Sequence, residues 1–470
     1  MKKILLFSSV TFLIISSCRF TPEYARPNIT TPASWSGGKS KNSADIAYAW
    51  WKSFGDETLN NLMIEALNKN IDITAGLQVV EQSRASLKIT GASLWPSLSA
   101  SSGASQNFTN PTKGDSSNSY NYSAGLSASY EVDLFGRNRA NKASARGDLL
   151  SSLYAQDALS LIVMGDVAQT YFTLLNLQER LSIADKNLKS RRDVFRIIQM
   201  RVNEGKDSEL ELAQQKILVA NAEAAREQII ELKKNAKNAL AVLLGRPPQG
   251  FEVKYNALDK INIPNIALGQ PSELLERRPD LKIAEAKLLS ANANIGAAKS
   301  AFYPSLSLGI DDTFSIAGFG DPSASVLSLA AKISAPIFQG GALKGGLEKA
   351  TARQLELIEN YRGAVYVAFQ DVEDAMAAVT ASKSREEFLK TSMQESRRAY
   401  SLSTERYKAG SIDFQTLLDT QTSLLSAEDT YTQAQLARLT ASIDLYSAMG
   451  GGWKESSTNL IFKLKVIDFL

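Results

Sequence analysis

The 470-residue chain carries 52 Lys and Arg against 49 Asp and Glu, no histidine and one cysteine. Such a balance gives no basic surface for nucleic acid, and a single cysteine forbids an intrachain disulfide. Without imidazole the commonest general base and metal ligand is missing, and no metal site, cofactor site or catalytic constellation emerges, so most enzyme designs are excluded.

Lys2 and Lys3, followed by the apolar stretch Ile4 to Ile15, read as a secretory leader over residues 1–17, too short to be a membrane span. Its loss lowers the basic count from 52 to 50 against 49 acidic residues. Ile15-Ser16-Ser17-Cys18 has the order of a bacterial lipoprotein cleavage site, so Cys18 is the predicted lipidation site. Acyl chains such as palmitate add ~0.8 kcal/mol of membrane affinity per buried methylene. Arg19 stands where lipoproteins kept at the inner membrane often carry Asp, which favours release to the outer membrane. Residues 18–55 are expected to form an extended, lipidated N-terminal segment. No later apolar run approaches the ~18 residues of a transmembrane helix.

A first repeat is expected over residues 56–250, opening with a helical stretch from Glu57 to Leu94. Trp95-Pro96-Ser97-Leu98-Ser99 then introduces a β-hairpin over about 96–133. From Tyr120 to Asp133 alternation is unbroken, with Tyr120, Tyr122, Leu126, Tyr130 and Val132 on one face and Ser, Asn, Glu and Asp on most of the other. A helical hairpin follows over about 137–245. Steps of four and three from Val163 to Val202 are apolar at ten of twelve places, Arg191 being one exception, which describes a coiled-coil seam. Sixty-six residues from Asn138 to Asn203 would reach ~100 Å as a helix, deeper than any globular core. Gly205 supplies the reversal, and Glu209 to Leu244 the return.

The second repeat, residues 251–453, has the same order. Helical sequence runs from Ser272 to Phe302, and Tyr303-Pro304-Ser305-Leu306-Ser307 opens a β-hairpin over about 304–337. A helical hairpin over about 342–449 reverses at Gly410 and returns from Phe414 to Met449, with a seam through Ile358, Arg362, Val365, Phe369, Val372, Met376 and Val379. The offset is 208 residues from Trp95 to Tyr303 and 205 from Gly205 to Gly410, as a duplication requires. Asp72 and Asp280 match as well, each 24 residues before its proline. A tail, 454–470, remains, with alternation at Leu460, Phe462, Leu464 and Val466.

Taken alone, the hairpins fit a soluble sandwich as well as a membrane barrel. Their length, and tyrosines near both ends of an apolar face, tilt the reading to a barrel with lipid outside and water inside. Four strands cannot close one, since backbone edges are not left open in hydrocarbon. Two copies would supply eight strands and three would supply twelve.

Six strings give the chain a family resemblance. They are Val132-Asp133-Leu134-Phe135-Gly136-Arg137, Arg277-Arg278-Pro279-Asp280-Leu281, Ala301-Phe302-Tyr303-Pro304-Ser305-Leu306, Pro336-Ile337-Phe338-Gln339-Gly340-Gly341, Arg406-Tyr407-Lys408-Ala409-Gly410 and Gly450-Gly451-Gly452-Trp453. Together and in order, they make the chain resemble TolC-family outer-membrane factors, in the lipoprotein branch of OprM-like efflux channels. The resemblance implies a mixed α/β membrane protein. It also implies a homotrimer whose twelve-strand transmembrane barrel, four strands per chain, continues into a long α-helical barrel in the periplasm. The tail departs from the pattern, as such chains commonly stop soon after the glycine run.

Function follows as an expectation: a passive exit duct in the outer membrane, in contact with its lipid, serving a periplasmic adaptor and an inner-membrane RND-type pump that exports small toxic compounds. A type I protein-secretion duct and a non-pore periplasmic coiled-coil lipoprotein remain alternatives. Asp419 matches a constriction-lining aspartate of the family, and Thr416 replaces its companion. Glu211 and Gln214 stand at the corresponding first-repeat places, and Glu211 is a candidate second charge. With Asp419, Thr416 and Glu211, Arg406 and Tyr407 complete the expected periplasmic gate; Arg201, Gly205, Tyr407 and Gly410 are the expected adaptor-contact tips.

Overall fold

The structure, a computed structural model, describes residues 20–36, 49–266, 269–316 and 323–451. The leader, Cys18, Trp453 and the 454–470 tail lie outside them.

Repetition is exact in the lengths of three helix pairs. Helices α2 (Ile71–Ala92) and α6 (Pro279–Ser300) each have 22 residues, α3 (Arg137–Asn203) and α7 (Ala342–Lys408) each have 67, and α4 (Glu209–Leu243) and α8 (Phe414–Ala448) each have 35. Strands β1 (Ser97–Thr109), β2 (Ser117–Val132), β3 (Ser305–Ile316) and β4 (Ser323–Ser334) form one antiparallel sheet in the order β1-β2-β3-β4.

Several expectations need correction. The stretch Glu57 to Leu94 is two helices, α1 (Glu57–Lys69) and α2. Asn70 interrupts it at ψ 132°, and its side-chain oxygen accepts the Ile73 N–H at 3.0 Å, capping the new helix. Before α6 a one-turn helix, α5 (Leu274–Arg277), ends at extended Arg278, because Pro279 disfavours a helical residue ahead of it. Within the expected extended segment, Trp50–Phe54 coils into a 3-10 turn whose aromatic side chains bury. One 18-residue window of α3 reaches a mean hydropathy of 1.4, enough to cross a membrane by composition, but 56% of it is buried within the chain. In α7 the buried line is Leu357, Tyr361, Val365, Ala368, Val372 and Ala375, so four of its members lie one residue ahead of expected Ile358, Arg362, Phe369 and Met376.

Contacts divide the described residues into two compact units, each drawn from both repeats: those within 20–29, 78–153 and 282–363, and those within 30–77, 154–281 and 364–451. Like elements therefore pack with like, across the repeat boundary.

The first unit holds the sheet. Its register puts Tyr122, Leu126 and Tyr130 of β2 on one face with Leu98 of β1, Leu308 and Ile310 of β3, and Leu329 and Ile333 of β4. Asp312 also falls on this face, opposite Leu126 and Leu327, so the face is less uniformly apolar than its sequence alternation promised. At the strand–helix turns Phe135 stacks on Tyr303 at 4.9 Å, and Phe20 stacks on Tyr303 at 4.4 Å. Asp133 accepts the backbone N–H groups of Asn138 and Arg139 at 3.0 and 2.9 Å, capping α3. The N-terminal strap is tied to α6 by Asn292 Nδ2 donating to the Pro22 carbonyl at 2.7 Å and by a bidentate Arg26–Glu285 pair.

The second unit has an aromatic core of Trp50, Trp51, Phe54, Tyr171, Phe172 and Tyr446 among Leu and Val from α1, α3 and α4. Burial of such rings is the principal stabilising term here, at ~25 cal/mol per Å² of apolar area. Buried Asp56 caps α1 through the Leu59 N–H at 2.8 Å and accepts from Tyr171 Oη at 3.0 Å and Asn256 at 2.9 Å, so its lone pairs are met. Arg278 ties the start of α6 to α7 and α8 through Asp280, Asp371 at 2.9 Å and the Ala448 carbonyl at 3.1 Å.

Candidate functional site at the helix tips

Both tip turns belong to the second unit, and both close the same way. Gly205 and Gly410 have φ of 72° and 73°, a left-handed conformation that L side chains rarely adopt. Lys206 N–H donates to the Arg201 carbonyl and Ser411 N–H to that of Arg406, each at 2.8 Å. Gly205 N–H donates to Val202 and Gly410 N–H to Tyr407, each at 2.9 Å. These two pairs satisfy the last carbonyls of α3 and α7.

Side chains then pack one tip on the other. Val194 and Ile198 of α3 form a buried cluster with Tyr407 of α7 and Phe414, Leu417 and Leu418 of α8, with half-buried Val202 and Leu212 around it. Tyr407 and Phe414 rings lie 6.0 Å apart, and the Arg201 guanidinium carbon stands 5.6 Å from the Tyr407 ring centre. Arg201 Nε donates to buried Asp207 Oδ2 at 2.8 Å, and that bond raises the Arg201 pKa. Burial pushes the Tyr407 phenol up, and Asp207 adds to the shift against the opposing pull of Arg201. Arg201 and Tyr407 are thus brought together beside Gly205.

Other expected residues sit apart from that cluster. Glu211 belongs to a capping box: Ser208 N–H donates to its Oε2 at 3.1 Å, and its own N–H donates to Ser208 Oγ at 3.3 Å. Asp413 caps α8 by accepting the Thr416 N–H at 2.8 Å, and the Thr416 hydroxyl and backbone donors hold the Asp413 carboxyl below its usual range. Asp419 and Thr416 are exposed, one turn apart on α8, and Asp419 accepts from Gln415 at 2.8 Å. Arg406 is exposed and, among the described residues, makes no side-chain hydrogen bond or ion pair.

Two features escaped the sequence reading. Asp207, the carboxylate that holds Arg201, was detectable as an acid just past Gly205, whose second-repeat counterpart is Ile412. A polar layer crosses the seam before the tips: buried Arg191 donates to Asn187 at 2.8 Å and to the Leu218 carbonyl at 3.2 Å, and buried Gln215 donates to the Arg191 carbonyl at 2.8 Å. Burial lowers the Arg191 pKa. Gln421 donates to Ser190 and Tyr400 in the same layer.

A four-strand sheet whose outer edges are unpaired among the described residues, joined in sequence to two long helical hairpins with matched tips, defines the class as an outer-membrane channel that extends into the periplasm. The sequence profile of the outer membrane efflux proteins matches residues 62–246 and 270–451, and the chain belongs to that family. It is 36% identical to the pyoverdine export outer membrane protein OpmQ of Pseudomonas aeruginosa, over 98% of this chain and 99% of that one. It is 31% identical to the cation efflux system protein CusC of Escherichia coli O6:H1, over 94% and 97%. The open-state MtrE outer membrane channel of Neisseria gonorrhoeae superposes with a TM-score of 0.83 at 32% identity, covering 93% of this chain and 99% of that one. The Campylobacter jejuni CmeC outer membrane channel gives 0.86 at 25% identity, covering 95% and 98%. The chain is therefore an outer-membrane exit duct in a family of transport proteins, and the expected mixed fold with four strands per chain is the one it has.

Proposed function

We propose that three copies form a passive duct for small molecules, with twelve strands in the outer membrane and the helical tips as its periplasmic gate. What carries this reading is the paired tip geometry: two matched turns locked by one buried aromatic cluster, with the exposed carboxylate of Asp419 close by on α8. A periplasmic adaptor engages the tips around Arg201, Gly205, Tyr407 and Gly410, and an RND-type pump supplies the energy. Cys18 carries the lipid, and residues 56–250 and 251–453 act as two repeats of one design. No chemical conversion of cargo is involved.

Relatives named for pyoverdine export and cation efflux favour small cargo over a secreted polypeptide. Three Asp419 carboxylates around one axis repel one another and attract cations. Purified protein in a planar bilayer is expected to conduct, and Asp419→Ala to reduce its preference for cations. A protein that gives no channels defeats the duct, and an unchanged selectivity in Asp419→Ala removes that residue from the gate.

A further inference from the structure

The four strands hold four charged residues: Glu131 on β2, Asp311 and Asp312 on β3, and Lys332 on β4. Pleating sends neighbouring residues to opposite faces. Asp312 joins the apolar face, where Ser325 Oγ donates to it at 3.4 Å, and Asp311 joins the face rich in serine. Its rung of the ladder reads Ser99, Ser127, Asp311 and Ser328 from β1 to β4. Along β3 its neighbours on that face are Gly309 and Thr313, and a Cβ added at Gly309 would still lie 3.9 Å from Asp311 Oδ2. Asp311 is exposed and, among the described residues, makes no side-chain hydrogen bond or ion pair.

The other two charges on the serine face offset each other. Glu131 and Lys332 stand on one rung, on either side of Ser307, which puts their backbones ~10 Å apart. Asp311 lies four residues further along β3, ~13 Å from that rung. Because the screening length at 0.1 M salt is ~10 Å, Lys332 leaves most of its charge unopposed. Each chain therefore carries one uncompensated negative charge on a wall of small, uncharged side chains.

Resting on the trimeric duct read above, we propose that Asp311 sets charge selectivity inside the strand barrel, independently of Asp419, and that the cargo it favours in transit is cationic. The serine face is the wet one, because the opposite face carries Tyr122, Leu126, Leu308 and Ile310. Three-fold symmetry brings three Asp311 carboxylates to one height around the axis. Rings of carboxylates select cations, and substitutions on the lumen side of a membrane barrel tune selectivity. Adjacent and chemically alike, Asp311 and Asp312 thus differ in role: one meets the passing solute and the other does not. With only hydroxyls and glycine beside it, Asp311 biases which ions enter without holding any of them.

Reversal potentials of the purified full-length protein in planar bilayers, under a KCl gradient centred near about 0.1 M, test this. Asp311→Asn is expected to lower the cation-to-anion permeability ratio by about twofold, the size set by three screened charges roughly 10 Å from an axis in water. Asp311→Ser, which copies its rung neighbours, should do the same. Lys332→Gln should raise the ratio by releasing Glu131, and Asp312→Asn should leave it unchanged. Above about 1 M salt, where the screening length is ~3 Å, these differences should vanish. The Asp311→Asn effect should also persist in an Asp419→Ala background, which separates it from the tips. An unchanged ratio in both Asp311 variants at low salt, or an equal change in Asp312→Asn, overturns the assignment and leaves a conducting duct standing. Absence of channels from the unsubstituted protein defeats the duct and this proposal together.

Discussion

The two tips have one backbone and two chemistries. Their reversing glycines agree within 1° in φ, and their closing hydrogen bonds agree in length, at 2.8 and 2.9 Å. Side chains then part company: the first tip locks Arg201 to Asp207 and caps α4 with Ser208 and Glu211, whereas the second leaves Arg406 without a side-chain partner among the described residues and caps α8 with Asp413. The larger side chain changes places too, Val202 in the first repeat answering to Tyr407 in the second. A duplicated scaffold thus keeps its fold-determining hydrogen bonds and varies what they carry. Such variation lets a wall built from equivalent pieces have a gate whose two edges respond differently.

Tyr407 should show the largest difference. Because it packs on Val194 and Ile198 as well as Phe414, Tyr407→Ala is expected to cost about 3 kcal/mol or more and to loosen both tips. Val202→Ala, at the matching but half-buried place, should cost much less. Hydrogen exchange at the amides of α3 and α8 near the turns measures both, and equal losses would break the comparison.

Gly205→Ala and Gly410→Ala should be intermediate and alike. Neither glycine has a neighbour within 4 Å of an added Cβ, so only the left-handed backbone is strained, at about 1–2 kcal/mol. Thermal unfolding of the two single variants checks this, and a clear difference between them would show that the turns are not equivalent.

Acid should produce the smallest effect, through the helix cap of the second tip. The Asp413 carboxyl is held below its usual range in the folded chain, so its contribution is present above the unfolded value of about 3.9 and is lost as pH falls through the lower folded value. Ser208 caps the first tip with a hydroxyl that does not titrate. Exchange protection at Thr416 should therefore fall before that at Glu211 as pH drops below about 4, and simultaneous loss would contradict the difference in caps.

Patterns carried by local chemistry were legible in the sequence. Glycine marks both reversals, alternation marks the strands, and the duplicated landmarks give helix ends correct to a residue, as at Asn203 and Phe414. Asn70 was passed over because an asparagine cap in an apolar-periodic stretch has no glycine or proline to announce it. The seam of α7 was displaced by one residue at four places along its length because burial there depends on which neighbours the helix meets, not on its own period. At the candidate site, Arg201 and Tyr407 were chosen separately, and only the fold shows that they meet over Asp207. Phe20, Phe135 and Tyr303 are far apart in sequence, so no local pattern could join them.

Equal helix lengths have a consequence for how such a protein can change. One residue inserted into a single 67-residue helix would rotate everything beyond it by about 100° and advance it by about 1.5 Å. Tyr407 would then leave Arg201, and the buried line of α7 would turn away from its partners. A heptad added to all four long helices would instead return each side chain close to its former facing. Length in this architecture is quantised and shared: the duct can be lengthened only in matched steps, and the two repeats must take each step together.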